Sequence, residues 1–196
     1  RSINPYRGCE HGCIYCFARP THAYLGLSPG LDFETKILVK PGAAEALERE
    51  LSAPSYRCAP IAMGTNTDPY QPIERERGVT RSVLEVLSRR RHPVTIVTKG
   101  AGVTRDLDLL GEMGRAGLAR VAVSLTTLDS RLSRRMEPRA AAPEARLRAI
   151  AALARAGVPT GVLIAPVVPA LTDHEIEPLL EAAARAGAAR ADWILL

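Results

Sequence analysis

The chain has 196 residues, of which 46% are hydrophobic and 24% are charged, and its formal net charge is +5 at pH 7. This is the composition of an ordinary globular domain, and it excludes a disordered chain. The most apolar run, residues 158–171, is shorter than the roughly 18 residues of a membrane helix and is broken by prolines, so no membrane partner is expected.

Three of the four cysteines lie in one short stretch near the N-terminus, at Cys9, Cys13 and Cys16. They do not form the even, dispersed set of a disulfide framework, so a reduced, cytoplasmic protein is expected. Soft thiolates at the spacing C-x3-C-x2-C favour zinc or an iron–sulfur cluster. A closed Cys3His zinc site could take His11 or His22 as its fourth ligand, whereas a four-iron cluster on three thiolates would keep one iron open.

Helices and strands alternate after the cysteine stretch. A short apolar run at residues 36–40 precedes a predicted helix at 43–51 and a buried strand at 60–64. The apolar spacing then predicts a helix at 79–90, and the β-branched residues that follow predict a strand at 94–98.

The second half of the chain contains three Arg-Ala-Gly sequences, which end at Gly117, Gly157 and Gly187. Each one closes a helical pattern, and its glycine is the expected left-handed cap. The strands that follow are predicted at residues 120–125, 160–164 and 191–196.

About five such alternations with short apolar strands predict an α/β fold with a parallel sheet. A doubly wound sheet and a β/α barrel both satisfy the pattern. A closed eight-unit barrel needs about 250 residues, so this chain could make only a partial one. In either fold, ligands gather at the carboxyl ends of the strands.

Polar residues follow three of the predicted strands. They are Thr65, Asn66, Thr67 and Asp68 after the first; Thr98 and Lys99 after the second; and Ser124, Thr126, Thr127 and Asp129 after the third. The alternative for each is a local structural role in a turn or a helix cap, without contact to a ligand. Asp68, for example, precedes a proline, and Asp129 precedes a helical pattern. Lys99 is notable because the chain has only three lysines.

The motif C-x3-C-x-Tyr-C ahead of a run of βα units resembles the radical S-adenosylmethionine (SAM) superfamily. The resemblance implies a partial (β/α)6 TIM-type barrel of parallel strands, with the first strand at residues 2–6. It also implies that Cys9, Cys13 and Cys16 hold a [4Fe–4S] cluster whose open iron is chelated by SAM. Reductive cleavage of SAM would give a 5′-deoxyadenosyl radical that abstracts hydrogen from a substrate, with an electron donor of the flavodoxin or ferredoxin type.

The same resemblance implies a set of SAM contacts. Residues 64–68 would meet the SAM amino group, Lys99 would pair with its carboxylate, and residues 164–168 would lie against adenine. Ser124 and Thr126 would contact the ribose, and Arg139 would be a second partner of the carboxylate. The individual residues implied as cofactor contacts are therefore Tyr15, Gly64, Thr65, Asn66, Asp68, Lys99, Ser124, Thr126 and Arg139. A Cys3His zinc site, or an iron–sulfur module without SAM chemistry, is the alternative.

The stretches INPYRGCEHGCIYCFARPTHAYLGL and TNTDPYQPIE resemble bacterial relatives of spore photoproduct lyase, which makes a nucleic-acid lesion a candidate substrate. In that lyase a cysteine in a Cys-Thr-Ser-Asp run returns a hydrogen to thymine, and Thr65 stands in its place here. Cys58 would lie about 20 Å from the strand end, at about 3.3 Å per residue. It is predicted to be a small buried residue at the bottom of the barrel.

Two further expectations concern the extent of the chain and its partners. Because the chain begins at Arg1 and its last residues read as a strand, residues 1–196 are interpreted as one core domain whose C-terminal segment is missing. The basic residues are almost all arginines beside abundant alanine, a pattern that reflects coding bias more often than a nucleic-acid surface. Nucleic acid therefore stays a candidate partner on the resemblance alone.

Overall fold

The computed structural model describes residues 1–196, and six of the eight strands form one parallel sheet. The strands are β1 (Ser2–Ile3), β2 (Tyr6–Arg7), β3 (Leu38–Val39), β4 (Ile61–Met63), β5 (Val94–Thr98), β6 (Ala119–Ser124), β7 (Thr160–Val167) and β8 (Arg190–Leu195). The helices are α1 (Leu31–Thr35), α2 (Ala43–Leu51), α3 (Glu74–Arg77), α4 (Val79–Arg89), α5 (Leu107–Arg115), α6 (Ser130–Met136), α7 (Pro143–Arg155) and α8 (Ile176–Arg185). Short 3-10 helices occupy Arg19–Leu25, Ala101–Asp106 and Asp173–Glu175.

The strand order distinguishes between the two folds that the sequence allowed. The sheet runs β1-β4-β5-β6-β7-β8, so each strand lies beside the next one of the sheet along the chain, and every pair is parallel. A doubly wound sheet reverses its strand order at a switch point, and no reversal occurs here. The partial barrel is confirmed.

Burial along the central strands agrees with a barrel. In β5, Val94 and Ile96 are buried while Thr95 between them is exposed, and in β6 Arg120 is exposed between Ala119 and Val121. One face of the sheet therefore packs against the helices, where a core cluster of 26 buried residues lies. The other face lines an open interior, whereas a doubly wound sheet would be covered on both faces.

The three Arg-Ala-Gly sequences end helices as predicted. Gly117, Gly157 and Gly187 have φ angles of +72°, +83° and +98°, in the left-handed region that favours glycine. After each glycine, the next residue donates a hydrogen bond to a carbonyl five residues earlier, as Leu118 does to Met113 at 2.8 Å. This is the Schellman arrangement, which turns the chain into the next strand.

Two strands differ from their predicted extents because of prolines. The strand predicted at residues 2–6 is interrupted before Pro5, and Tyr6–Arg7 pairs instead with β3 in an antiparallel ribbon outside the main sheet. The strand predicted at 160–164 continues to Val167, past Pro166, because its pairing with β8 shifts register and then resumes at Val167 and Leu195. The strand was predicted to end before Pro166 because proline cannot donate a backbone hydrogen bond to a neighbouring strand.

The longest helix is α7, with 13 residues, and a helix needs about 20 to cross a bilayer. None of the helices has the length and apolar character of a membrane span. One prediction about the base of the barrel is wrong: Cys58 is exposed rather than buried, in the irregular segment between α2 and β4.

Candidate functional site

A cleft with a volume of about 570 Å³ opens at the carboxyl ends of the sheet strands. Ten of the twelve predicted site residues line it together: Cys9, Cys13, Tyr15, Cys16, Gly64, Thr65, Asn66, Asp68, Lys99 and Ser124. Parallel strands bring their carboxyl ends to one edge, which explains why residues more than 100 positions apart in sequence meet here. The volume is in the range of ligand-binding pockets.

The cysteine loop forms one wall of the cleft. Cys9 and Cys13 are each 8% exposed, Cys16 is half-buried, and all three thiols are free. Burial raises the pKa of Cys9 above its ordinary value and that of Cys13 to about 11, although Lys99 opposes the shift at Cys13. Binding of a metal at these thiols must therefore release protons.

The surroundings of the loop argue against a closed zinc site. No three His, Cys, Asp or Glu side chains are arranged to hold a single metal ion. His22 lies outside the cleft with its Nε2 3.1 Å from the carbonyl oxygen of Lys36, and His11 has its Nδ1 3.4 Å from a carboxylate oxygen of Asp68. Neither histidine completes a Cys3His set. Three free thiols on one wall of an open cleft fit a larger iron–sulfur cluster that keeps a coordination position free.

Asp68 fastens three elements of the site to one another. One carboxylate oxygen accepts hydrogen bonds from the amide of Tyr70 at 2.8 Å and the hydroxyl of Thr98 at 2.6 Å. The other accepts from the amide of Lys99 at 2.6 Å and lies beside His11. With its acceptors occupied in this way, Asp68 ties the end of β4 to the end of β5 and to the cysteine loop.

A buried ionic network lies behind Lys99. Its ammonium group is 2.5 Å from the hydroxyl of Ser124 and 3.2 Å from a carboxylate oxygen of Glu137. The other carboxylate oxygen of Glu137 pairs with Arg146, and these two side chains are 0% and 1% exposed. Arg146 also donates to the carbonyl of Ser124 at 3.0 Å. Because every member has partners, the network can fix the position of Lys99 at the cleft wall.

Tyr15 connects the cysteine loop to this network. Its hydroxyl donates to Glu137 and lies 3.5 Å from the hydroxyl of Thr126, while its ring lies 5.6 Å from the Lys99 ammonium group. Burial and the neighbouring carboxylate of Glu137 raise the pKa of Tyr15 above its ordinary value, so the phenol stays protonated. The ring is therefore held at the cleft from both ends, by its backbone in the loop and by its hydroxyl.

The structure does not bring two of the predicted contacts into the cleft. Thr126 lies behind the wall, where its hydroxyl donates to Glu137 at 2.8 Å. Arg139 lies outside the cleft and pairs with Glu34 on the outer side of the cysteine loop. Arg139 was implied as a contact by the resemblance alone, and in the structure it follows α6 and lies on the far side of the cysteine loop from the cleft.

The backbone conformation of Gly64, which lines the cleft, requires glycine. Its φ is +86°, and an added Cβ would collide with the carbonyl oxygen of Val97 on the neighbouring strand. Glycine is therefore required for the turn that leaves β4, whether or not a ligand is bound.

Sequence reading missed Glu137 and Arg146. Arg146 was detectable in principle, because it shares the apolar stripe of α7 with Ala149, Ile150 and Leu153, where a charge needs a buried partner. Glu137 carried no such signal, since it stands in an irregular segment after α6. Only the tertiary contact with Arg146 identifies it.

A sequence profile described as the Radical SAM superfamily matches residues 3–183. The chain is 44% identical over 189 residues to the uncharacterized protein Rv2578c of Mycobacterium tuberculosis, a match that covers 95% of this chain and 56% of that protein. It is 27% identical over 173 residues to the uncharacterized protein MJ0683 of Methanocaldococcus jannaschii, covering 88% and 62% respectively. The chain thus spans less than two thirds of the length of these relatives.

Two solved structures share the fold. A spore photoproduct lyase mutant with bound AdoMet and dinucleoside spore photoproduct matches with a TM-score of 0.70 and 20% identity, over 98% of this chain and 54% of that one. SuiB of Streptococcus suis, bound to S-adenosylmethionine, matches with a TM-score of 0.68 and 16% identity, over 99% of this chain and 38% of that one. At these identities the likeness concerns the fold.

Proposed function

The chain belongs to the radical SAM superfamily, and on that premise we propose that it is an enzyme that cleaves SAM reductively in the cleft and abstracts hydrogen from a substrate. One observation carries the proposal: the three free thiols of the C-x3-C-x2-C loop line the same cleft as Lys99 and Ser124. When bound, the cluster and SAM together supply a 5′-deoxyadenosyl radical, and the protein holds and orients them.

The cysteines have the first role in this proposal. Cys9, Cys13 and Cys16, which are free and line the cleft, would hold the [4Fe–4S] cluster through their thiolates. SAM would bind through its amino and carboxylate groups at the position that the three thiolates leave free. The electron would come from an external donor of the flavodoxin or ferredoxin type.

Lys99 has the second role, as the partner of the SAM carboxylate. The buried network contains two cations, Lys99 and Arg146, and one carboxylate, Glu137, so one positive charge is left over. An anionic group of the ligand would neutralise it, and a charge-assisted hydrogen bond is the strong kind. The hydroxyl of Ser124 is available to the ribose, and the apolar wall of Leu163, Ala165 and Pro166 is available to adenine.

The fate of the abstracted hydrogen follows from the cysteine count. Thr65 occupies the lining position after β4, and Cys58, the cysteine outside the loop, is exposed and does not line the cleft. We therefore propose that no cysteine of this chain returns hydrogen to the product, and that the reaction differs from that of the lyase. A nucleic-acid lesion remains the candidate substrate, and Phe17, 76% exposed at the cleft mouth, is available to stack on a base.

Reductive SAM cleavage tests the proposed function directly. After anaerobic reconstitution the protein should bind about four irons per chain. Addition of dithionite and SAM should then give 5′-deoxyadenosine, measured by liquid chromatography and mass spectrometry, and omission of the reductant is the control. Bound iron without SAM cleavage would point to a binding module, and one zinc without iron would restore the structural alternative. Deuterium transfer from labelled candidate substrates into 5′-deoxyadenosine would identify the substrate.

Lys99→Met should weaken SAM binding about 10- to 100-fold, because a hydrogen bond to a charged group is worth about 1.5–3 kcal/mol. Glu137 keeps Arg146, Tyr15 and Thr126 as partners, so the fold and the iron content should not change. Equilibrium dialysis of labelled SAM against the reconstituted, unreduced protein measures the effect. Lys36→Met, at an exposed lysine paired with Asp32, is the matched control. Equal SAM affinities for the two variants would remove Lys99 from the site.

A further inference from the structure

Glu34 of α1 joins two arginines from distant parts of the chain. One carboxylate oxygen pairs with Arg19 at 2.6 Å, and the other pairs with Arg139. The partners are separated by 15 and 105 positions in sequence. The Glu34 side chain is 17% exposed and uses both of its oxygens, which separates it from the solvent-exposed single pairs that contribute little.

Both arginines also donate hydrogen bonds to the backbone of the cysteine loop, while Nη1 of Arg19 donates to the carbonyls of Pro29 and Gly30. Arg19 donates twice to the carbonyl of Cys13, from Nε at 3.1 Å and from Nη2 at 2.9 Å. Arg139 donates from Nε to the carbonyl of Glu10, and its amide donates to the carbonyl of His11 at 3.1 Å. Three carbonyls of the loop are therefore held on the side away from the cleft.

Gly12 allows this approach. It lies between the two carbonyls bound by Arg139 and the one bound by Arg19, and its φ is +69°. An added Cβ would collide with the guanidinium of Arg139 and would lie 2.8 Å from a carboxylate oxygen of Glu34. The loop is thus in close contact with the guanidinium of Arg139 and the carboxylate of Glu34.

We propose that Arg19 and Arg139, bridged by Glu34, are positioning residues for the iron–sulfur cluster; this inference rests on the proposed function. By holding the carbonyls of the loop outward, they keep the thiols of Cys9, Cys13 and Cys16 directed at the cleft before the cluster enters. Groups that orient metal ligands in this indirect way commonly change metal affinity by about 10- to 100-fold when they are removed.

The charges of this group supply a readout that a purely structural role would not move. Two guanidinium groups and one carboxylate leave one positive charge beside Cys13. A cation near an iron–sulfur cluster stabilises its more negative, reduced form and raises the reduction potential. Arg19→Gln should therefore lower the midpoint potential of the cluster, and Glu34→Gln should raise it, although both variants loosen the loop.

The experiment compares Arg19→Gln, Arg139→Gln, Glu34→Gln and Arg19→Lys with Arg155→Gln, an exposed arginine at the end of α7 that forms no ion pair. Each full polypeptide is reconstituted anaerobically, and the rate of iron release to a chelator is followed. The three glutamine variants should release iron about tenfold faster than the control. The Arg19→Gln, Glu34→Gln double variant should release iron at nearly the same rate as the single variants, because the residues act as a unit.

The midpoint potential of the cluster is measured for the same variants. Arg19→Lys, which keeps the charge, should keep the potential of the unaltered protein.

The outcomes separate this inference from the proposed function. If the unaltered protein binds iron and cleaves SAM while all variants match Arg155→Gln in iron release, the positioning role is refuted and the proposed function stands. Potentials that shift in the same direction for Arg19→Gln and Glu34→Gln also refute it. If the unaltered protein assembles no cluster, both proposals fail.

Discussion

Replacing Cys13 with alanine should reduce the iron bound after reconstitution from about four per chain to nearly none. Cys13 lies in the middle of the loop and lines the cleft, and its loss leaves two thiolates at the site. His11, within the loop, has its Nδ1 beside Asp68, and His22 has its Nε2 beside the carbonyl of Lys36, so we expect neither to replace the lost thiolate. SAM cleavage should disappear together with the iron.

Iron and sulfide analysis of purified Cys13→Ala measures this effect, and circular dichroism checks that the fold is retained. Cys58→Ala is the matched control, because Cys58 is exposed and does not line the cleft. Its iron content should equal that of the unaltered protein. Equal loss of iron from the two variants would contradict the prediction that the three loop cysteines bind the cluster and that Cys58 does not.

Glu137→Gln should lower the free energy of unfolding by about 3–5 kcal/mol, the usual cost of removing one partner from a buried ion pair. Glu137 and Arg146 are both almost completely buried, and Lys99 is the second cation of the network. Without the carboxylate, two cations remain with no negative partner. Tyr15 also loses the charged acceptor of its hydroxyl, so the cysteine loop should become less ordered at the cleft.

Chemical denaturation of the metal-free protein measures this loss. Glu144→Gln is the control, because Glu144 is exposed on α7 and lies 3.8 Å from Arg148 in a surface pair. Its effect should stay within about 0.5 kcal/mol, as for most surface substitutions. Similar stabilities for the two variants would mean that Glu137 does not compensate the buried cations.

The pH dependence of stability gives the same prediction an independent check. Burial raises the pKa of Glu137, but the charges of Lys99 and Arg146 outweigh it and bring the pKa from 4.5 to about 2. A carboxyl group with a lowered pKa in the folded state stabilises the protein fully above its unfolded value, and the stabilisation is lost as the pH falls. The difference in unfolding free energy between the unaltered protein and Glu137→Gln should therefore narrow from about pH 4.5 towards pH 2.

Ten of the predicted site residues meet in the cleft because their positions follow from chain topology. A residue directly after a parallel strand must lie at the carboxyl edge of the sheet, so Asp68, Lys99 and Ser124 could be assigned to the same edge from sequence. Arg139 follows a helix instead, and its direction depends on how α6 packs. It pairs with Glu34, which lies 105 positions earlier in the sequence.

The cysteine motif, the alternation of strands and helices and the glycine caps could be predicted from sequence, because each depends on residues close together in the chain. A cysteine motif and a helix end are both encoded by residues three or four positions apart. Long-range packing was needed to distinguish the partial barrel from a doubly wound sheet, to place Cys58 at the surface, and to identify which charges pair. A buried carboxylate such as Glu137 is stable only beside its cations, and their identity is fixed by packing between elements that are distant in sequence.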